Sequence, residues 1–128
     1  MNFKEFGTIL FVENYDACID FYKHRLQMDV RNVKESLVTF NVSGGYLMVE
    51  QGGFGSASEK NRQQNPTVLR FDTASLDEAV STLEKRGVNF IKKRIEFEWG
   101  TIAVLLDPDG NRIEIGEINE TSGSYRRK

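Results

Sequence analysis

With one cysteine and one histidine in 128 residues, this chain has few soft donors for a transition metal and cannot close an intrachain disulfide. Proline is nearly absent as well, with two residues, and no apolar run approaches the length of a membrane span or the core of a secretory leader. The expected location is therefore the cytoplasm. Seventeen Lys and Arg against nineteen Asp and Glu leave a net charge of −2, so there is no basic surplus to attract nucleic acid. What remains is an ordinary globular composition, 39% hydrophobic and 28% charged, at a length that suits one domain or two small halves sharing a core.

The most informative stretch is Leu105-Leu106-Asp107-Pro108-Asp109-Gly110-Asn111-Arg112-Ile113-Glu114-Ile115. Pro108 presets φ, the two aspartates can accept from nearby backbone amides, and Gly110 or Asn111 tolerates positive φ, so a β-hairpin is expected. Such a turn by itself needs no function. Glu114, however, stands between Ile113 and Ile115, where alternation sends it to the face opposite the isoleucines.

From the N-terminus, Phe6 to Val12 reads as a strand covered on both faces, with Leu10 and Val12 on one side and Ile9 and Phe11 on the other. Asn14 is placed to cap a helix from Tyr15 to Leu26, which buries Cys18, Phe21, Tyr22 and Leu26. Strands follow at Met28 to Val33, Leu37 to Val42 and Tyr46 to Glu50. Residues 52–66 form a polar linker with room for a helical turn. A strand from Thr67 to Thr73 then leads into a capping box, Ser75-Leu76-Asp77-Glu78, and a helix that stops at Gly87 behind Lys85 and Arg86. Val88 to Lys92, Gly100 to Leu106 and Asn111 to Gly116 complete a second set of strands. The order is βαβββ twice, in one domain: a first module over about 5–51, a second over about 67–118, and a polar tail, 119–128, ending in Arg126-Arg127-Lys128.

Three features carry a resemblance: this order of elements, Phe21-Tyr22 and Leu26 in the first helix with Leu76-Asp77-Glu78-Ala79 in the second, and the ending Trp99-Gly100 … Asp107-Pro108-Asp109-Gly110-Asn111 … Glu114. Together they resemble the vicinal oxygen chelate superfamily, the group of glyoxalase I, bleomycin resistance proteins, fosfomycin resistance enzymes and extradiol dioxygenases. The resemblance implies an α+β fold in which the two modules form a cupped mixed sheet with helices on its outer face. It also implies a divalent metal held by a His on the first strand of each module and a carboxylate on the last strand. Of these positions only Glu114 matches; the others fall at Gly7 or Thr8, Thr67 or Val68, and Leu47 or Met48. His24 lies in the first helix, away from those strands. No metal or other cofactor is therefore expected.

Alternation turns Arg70 and Asp72 toward the cup beside Glu114, where Arg70 either pairs with Glu114 as a structural closure or receives an anionic or carbonyl-bearing guest. Phe11 is the aromatic placed most directly in the cup. Phe54, Tyr46, Phe97 and Trp99 fall near its mouth, and Trp99 occupies a position that, by resemblance, lies near the groove of antibiotic-binding members. The ligand-binding set expected is Phe11, Phe54, Arg70, Asp72, Trp99 and Glu114. Two functions compete: a homodimeric small-molecule binder of the bleomycin-resistance type, and a glyoxalase- or dioxygenase-type metalloenzyme with a degenerate or intersubunit metal site. A nucleophilic hydrolase is further off, because no Ser, Thr or Cys shares a credible site with the single histidine.

Overall fold

A computed structural model describes residues 1–119; the basic ending Arg126-Arg127-Lys128 lies outside the described residues. The elements are β1 (Gly7–Val12), α1 (Tyr15–Asp20), a π-helical turn (Phe21–Arg25), β2 (Asp29–Lys34), β3 (Leu37–Val42) and β4 (Gly45–Gln51) in the first module. The second module has β5 (Leu69–Asp72), α2 (Leu76–Lys85), β6 (Phe90–Phe97), β7 (Gly100–Leu106) and β8 (Arg112–Ile118). Each module folds into one four-stranded mixed sheet, in the orders β1-β4-β3-β2 and β5-β8-β7-β6. The first and last strands of each module pair in parallel. These are the two βαβββ units expected, built as an α+β cup.

Alternation decides which side chains enter the core. On β8, Ile113 and Ile115 are buried on the helix side opposite Leu105 and Ala103 of β7, while Glu114 between them faces the cup. On β1, Val12 is buried on the helix side, whereas Ile9 and Phe11 on the cup side stay half exposed. One apolar cluster joins both modules, with Tyr22, Phe40 and Val49 from the first and Leu76, Leu105 and Ile113 from the second. Burial on this scale is the main source of stability.

The Asp-Pro-Asp-Gly-Asn turn reaches across the molecule. Buried Asp107 accepts from the backbone amides of Asp109 and Asn111 at 2.9 and 3.0 Å, from Asn111 Nδ2 at 2.9 Å, and from the Tyr22 hydroxyl at 2.7 Å. Asp109 accepts from the Glu13 amide at 2.6 Å, and from the amide and side-chain nitrogen of Asn14 at 3.0 and 2.8 Å. The second module's turn thus anchors the start of the first module's helix. Gly110 takes the positive φ expected, +82°, and lies against the Ser56 and Ser58 backbone, so the linker is seated on the same turn.

Several local expectations change. Asn14 occupies the N-cap position but makes no side-chain cap; its side chain is turned to Asp109, to which Nδ2 donates. The first helix ends in a π-helical turn, closed by Leu26 N–H to Phe21 C=O at 3.0 Å. This wider turn buries the consecutive aromatics Phe21 and Tyr22, which meet edge to face at 5.2 Å. Strand β5 is shorter than Thr67 to Thr73, whereas the linker does hold the single helical turn for which it has room, at Asn61–Asn65. Strand β6 runs to Phe97, well past Lys92: its Lys92-Lys93-Arg94 segment looks like a loop by composition, but pairing with β7 extends it through two register shifts. Ser75 caps α2 by accepting from the Glu78 amide at 3.3 Å, and Glu117 adds a second cap by accepting from the Leu76 amide at 2.7 Å.

Candidate functional site

The parallel register of β5 and β8 sets Arg70 beside Glu114. Arg70 donates to Glu114 Oε1 from Nη2 at 2.7 Å and from Nε at 3.1 Å, while Arg112 Nε donates to Oε2 at 2.9 Å. The carboxylate is therefore clamped on both oxygens. Arg112 extends the network to Glu59 at 3.3 Å, and Arg70 Nη1 stands 3.6 Å from Asp72. The Arg70 guanidinium also lies over the Trp99 ring at 5.1 Å, and Trp99 stacks on Phe97 at 5.1 Å. Burial opposes the charged form of Glu114, but the hydrogen bonds and charges of the two arginines outweigh it and hold its carboxyl below the ordinary value of 4.5.

Two cavities flank this network along the facing edges of β1 and β5. A cleft of about 700 Å³ is lined by Phe6, Tyr46, Arg70, Phe71 and Asp72. A narrower slot of about 260 Å³ lies between Ile9, Phe11, Phe54, Lys60, Asn65 and Arg112. Thr8, Thr67 and Leu69 line both, so the two spaces adjoin. The six residues expected to bind ligand thus divide: Arg70, Asp72, Trp99 and Glu114 come together, whereas Phe11 and Phe54 belong to the slot.

The donors present do not fit the metal that the resemblance implies. A side chain at Gly7, the first-strand position, would collide with the Tyr46 ring, which is itself held beneath the Arg31 guanidinium at 5.2 Å. Val68 and Met48 offer no usable hard donor at the other positions, and His24 is exposed on the π-helical turn. Among the described residues, no three His, Cys, Asp or Glu side chains converge. Cys18 is buried in the core, and burial, with Asp107 and Asp109 nearby, pushes its thiol well above the ordinary range, which disfavours the thiolate.

Two residues of the site escape a reading by motif. Arg112 carries no motif, but it stands two places before Glu114 on the same strand, and alternation alone assigns both to one face. Lys60 gives no such signal. It sits in the polar run Glu59-Lys60-Asn61-Arg62, yet only 4% of it is exposed, because its amide bonds the Gly110 carbonyl at 2.8 Å and its side chain folds under Phe54.

Paired βαβββ modules around a cup, with a carboxylate on the last strand, define a protein of the vicinal oxygen chelate class. Residues 6–120 match the family model described as a glyoxalase-like domain, and the chain belongs to that family. Among solved structures it is similar to a lactoylglutathione lyase from Agrobacterium tumefaciens, at 17% identity over 87% of this chain and 90% of that one, with a TM-score of 0.67. It is also similar to a glyoxalase/bleomycin resistance protein/dioxygenase from Alicyclobacillus acidocaldarius, at 16% identity over 92% and 94%, TM-score 0.75. A glyoxalase/bleomycin resistance protein from Catenulispora acidiphila matches at 19% identity over 90% and 98%, TM-score 0.71. At these identities the likeness is one of fold. No helix among the described residues is long and apolar enough to cross a membrane.

Proposed function

We propose that the protein is a cytoplasmic small-molecule binder of the bleomycin-resistance type, which holds its guest in the cup by non-covalent contacts and without a metal. The observation that carries this reading is the engagement of both Glu114 oxygens by Arg70 and Arg112. A carboxylate clamped in this way is a poor ligand for a cation, and the cleft beside it presents the Arg70 guanidinium and the Tyr46 ring. Such a wall suits a guest that combines a flat apolar part with an oxygen acceptor. Protein purified without added metal is expected to hold transition metal only far below one equivalent. Elemental analysis that finds a full equivalent of Zn, Ni, Fe or Mn, lost on Glu114→Ala, would favour the metalloenzyme.

The same reading includes assembly as a homodimer. Strands β2 and β6 are outer edges of their sheets, and Phe3 and Phe6 are 82% and 80% exposed at the start of the chain. A second copy pairing isologously would cover such surfaces. Sedimentation at micromolar concentration is expected to report a dimer, and a monomer there would remove this part of the proposal.

A further inference from the structure

We propose that the slot beside β1 is a carboxylate-binding subsite in which Lys60 Nζ receives the anionic group of a compact organic acid. This deepens the binding reading above and rests on it, since it names the chemical class of the guest. Lys60 is almost wholly enclosed, and among the described residues its ammonium rests on the Phe54 ring, 4.6 Å away, with its charge also felt at the Cys18 thiol. No hydrogen bond or ion pair from Nζ is found among the described residues. No side-chain nitrogen among them is both sealed from solvent and unpartnered, so the ammonium opens on the slot it lines. Neighbouring carboxylates are already engaged. Glu59 is held by Arg62 and Arg112, Glu13 accepts from the Gly55 amide, and Asp109 accepts from Glu13 and Asn14.

An ammonium that rests on one ring face and otherwise opens on the slot keeps its donors available there, and an anionic group could take the place of water on them. Ile9, Phe11 and Leu69 supply an apolar wall for the body of such a guest. Gln64 at the rim has its carbonyl taken by the Asn61 amide at 2.8 Å, which leaves its side-chain NH₂ to donate. A volume of about 260 Å³ restricts the guest to a small acid.

The test is titration of the full chain with phenylacetate and 3-phenylpropanoate, and with the corresponding uncharged amides, followed by calorimetry and amide-resolved NMR. At least one acid is expected to bind roughly tenfold or more tightly than its amide, with shifts at Phe54, Lys60 and Asn65. Lys60→Met should bring the acid down to the level of the amide, and Lys60→Arg should keep most of the difference. Equal binding of acid and amide, no binding of either acid, or an unchanged affinity in a folded Lys60→Met variant would overturn the proposal. If Lys60→Met does not fold, the comparison of acid with amide on the unaltered chain decides. Shifts confined to Tyr46, Arg70 and Asp72 would refute the slot and leave the cup reading standing. An acid seated at Lys60, with no compound of a thermal-shift screen ever engaging the Arg70 cleft, would do the reverse.

Discussion

Asp107→Ala is expected to lower the unfolding free energy by about 3–5 kcal/mol, the largest effect of any single substitution considered, because it removes one buried carboxylate from four donors at once. The Tyr22 hydroxyl would be left enclosed with no acceptor, and the turn that seats Asp109 on the first module would lose its internal frame. Asp107→Asn keeps the shape and one acceptor but exchanges charge-assisted bonds for neutral ones, so about half the loss is expected. Denaturant unfolding of the two variants checks both values. A loss under about 1 kcal/mol for the alanine variant would mean that the turn does not couple the modules as described.

The second large effect concerns Arg70 and Glu114. Because Arg112 also holds Glu114, Arg70→Ala does not strand the carboxylate, and a cost of about 1 kcal/mol is expected, below the range for a buried charge left without a partner. Glu114→Ala is the more damaging change, at about 2–3 kcal/mol, since two guanidiniums then face each other without the anion between them. Removing Arg70 together with Glu114 should restore part of that loss, and the double-mutant cycle measures the coupling. Acid sensitivity follows with a definite sign. The folded-state value of Glu114 lies below 4.5, so its contribution is complete above the unfolded value and is lost as pH falls through the lower folded one. Glu114→Gln should therefore flatten the acid limb of a stability–pH curve. Binding is the other readout: a compound found by thermal-shift screening should bind the Arg70→Ala variant at least roughly tenfold more weakly. Unchanged affinity would make the pair a purely structural closure.

Periodicity disclosed the double βαβββ order, since both helices and most strands carry their apolar residues at the expected spacing. It also placed Arg70, Asp72 and Glu114 on one face. The bulged extension of β6 was hidden because a Lys-Lys-Arg segment takes strand form only through its partner β7. The role of Asp109 was hidden for a related reason: its acceptors read as local turn chemistry, whereas the donors stand 95 and 96 residues earlier. Lys60 could not be found at all without coordinates. Burial of a linker lysine depends on where Phe54 and Gly110 meet in space, and no local pattern encodes that meeting.

The Tyr46 ring packed onto Gly7 ties together two positions on neighbouring strands. A Cβ at position 7 would run into the far end of the Tyr46 side chain, so any residue larger than glycine there depends on where that ring lies. Gly7→His would meet the Tyr46 ring, which must then swing off the strand and out from under Arg31 for an imidazole to be accommodated. The two positions therefore respond to substitution as a coupled pair, independent of whatever the cup holds.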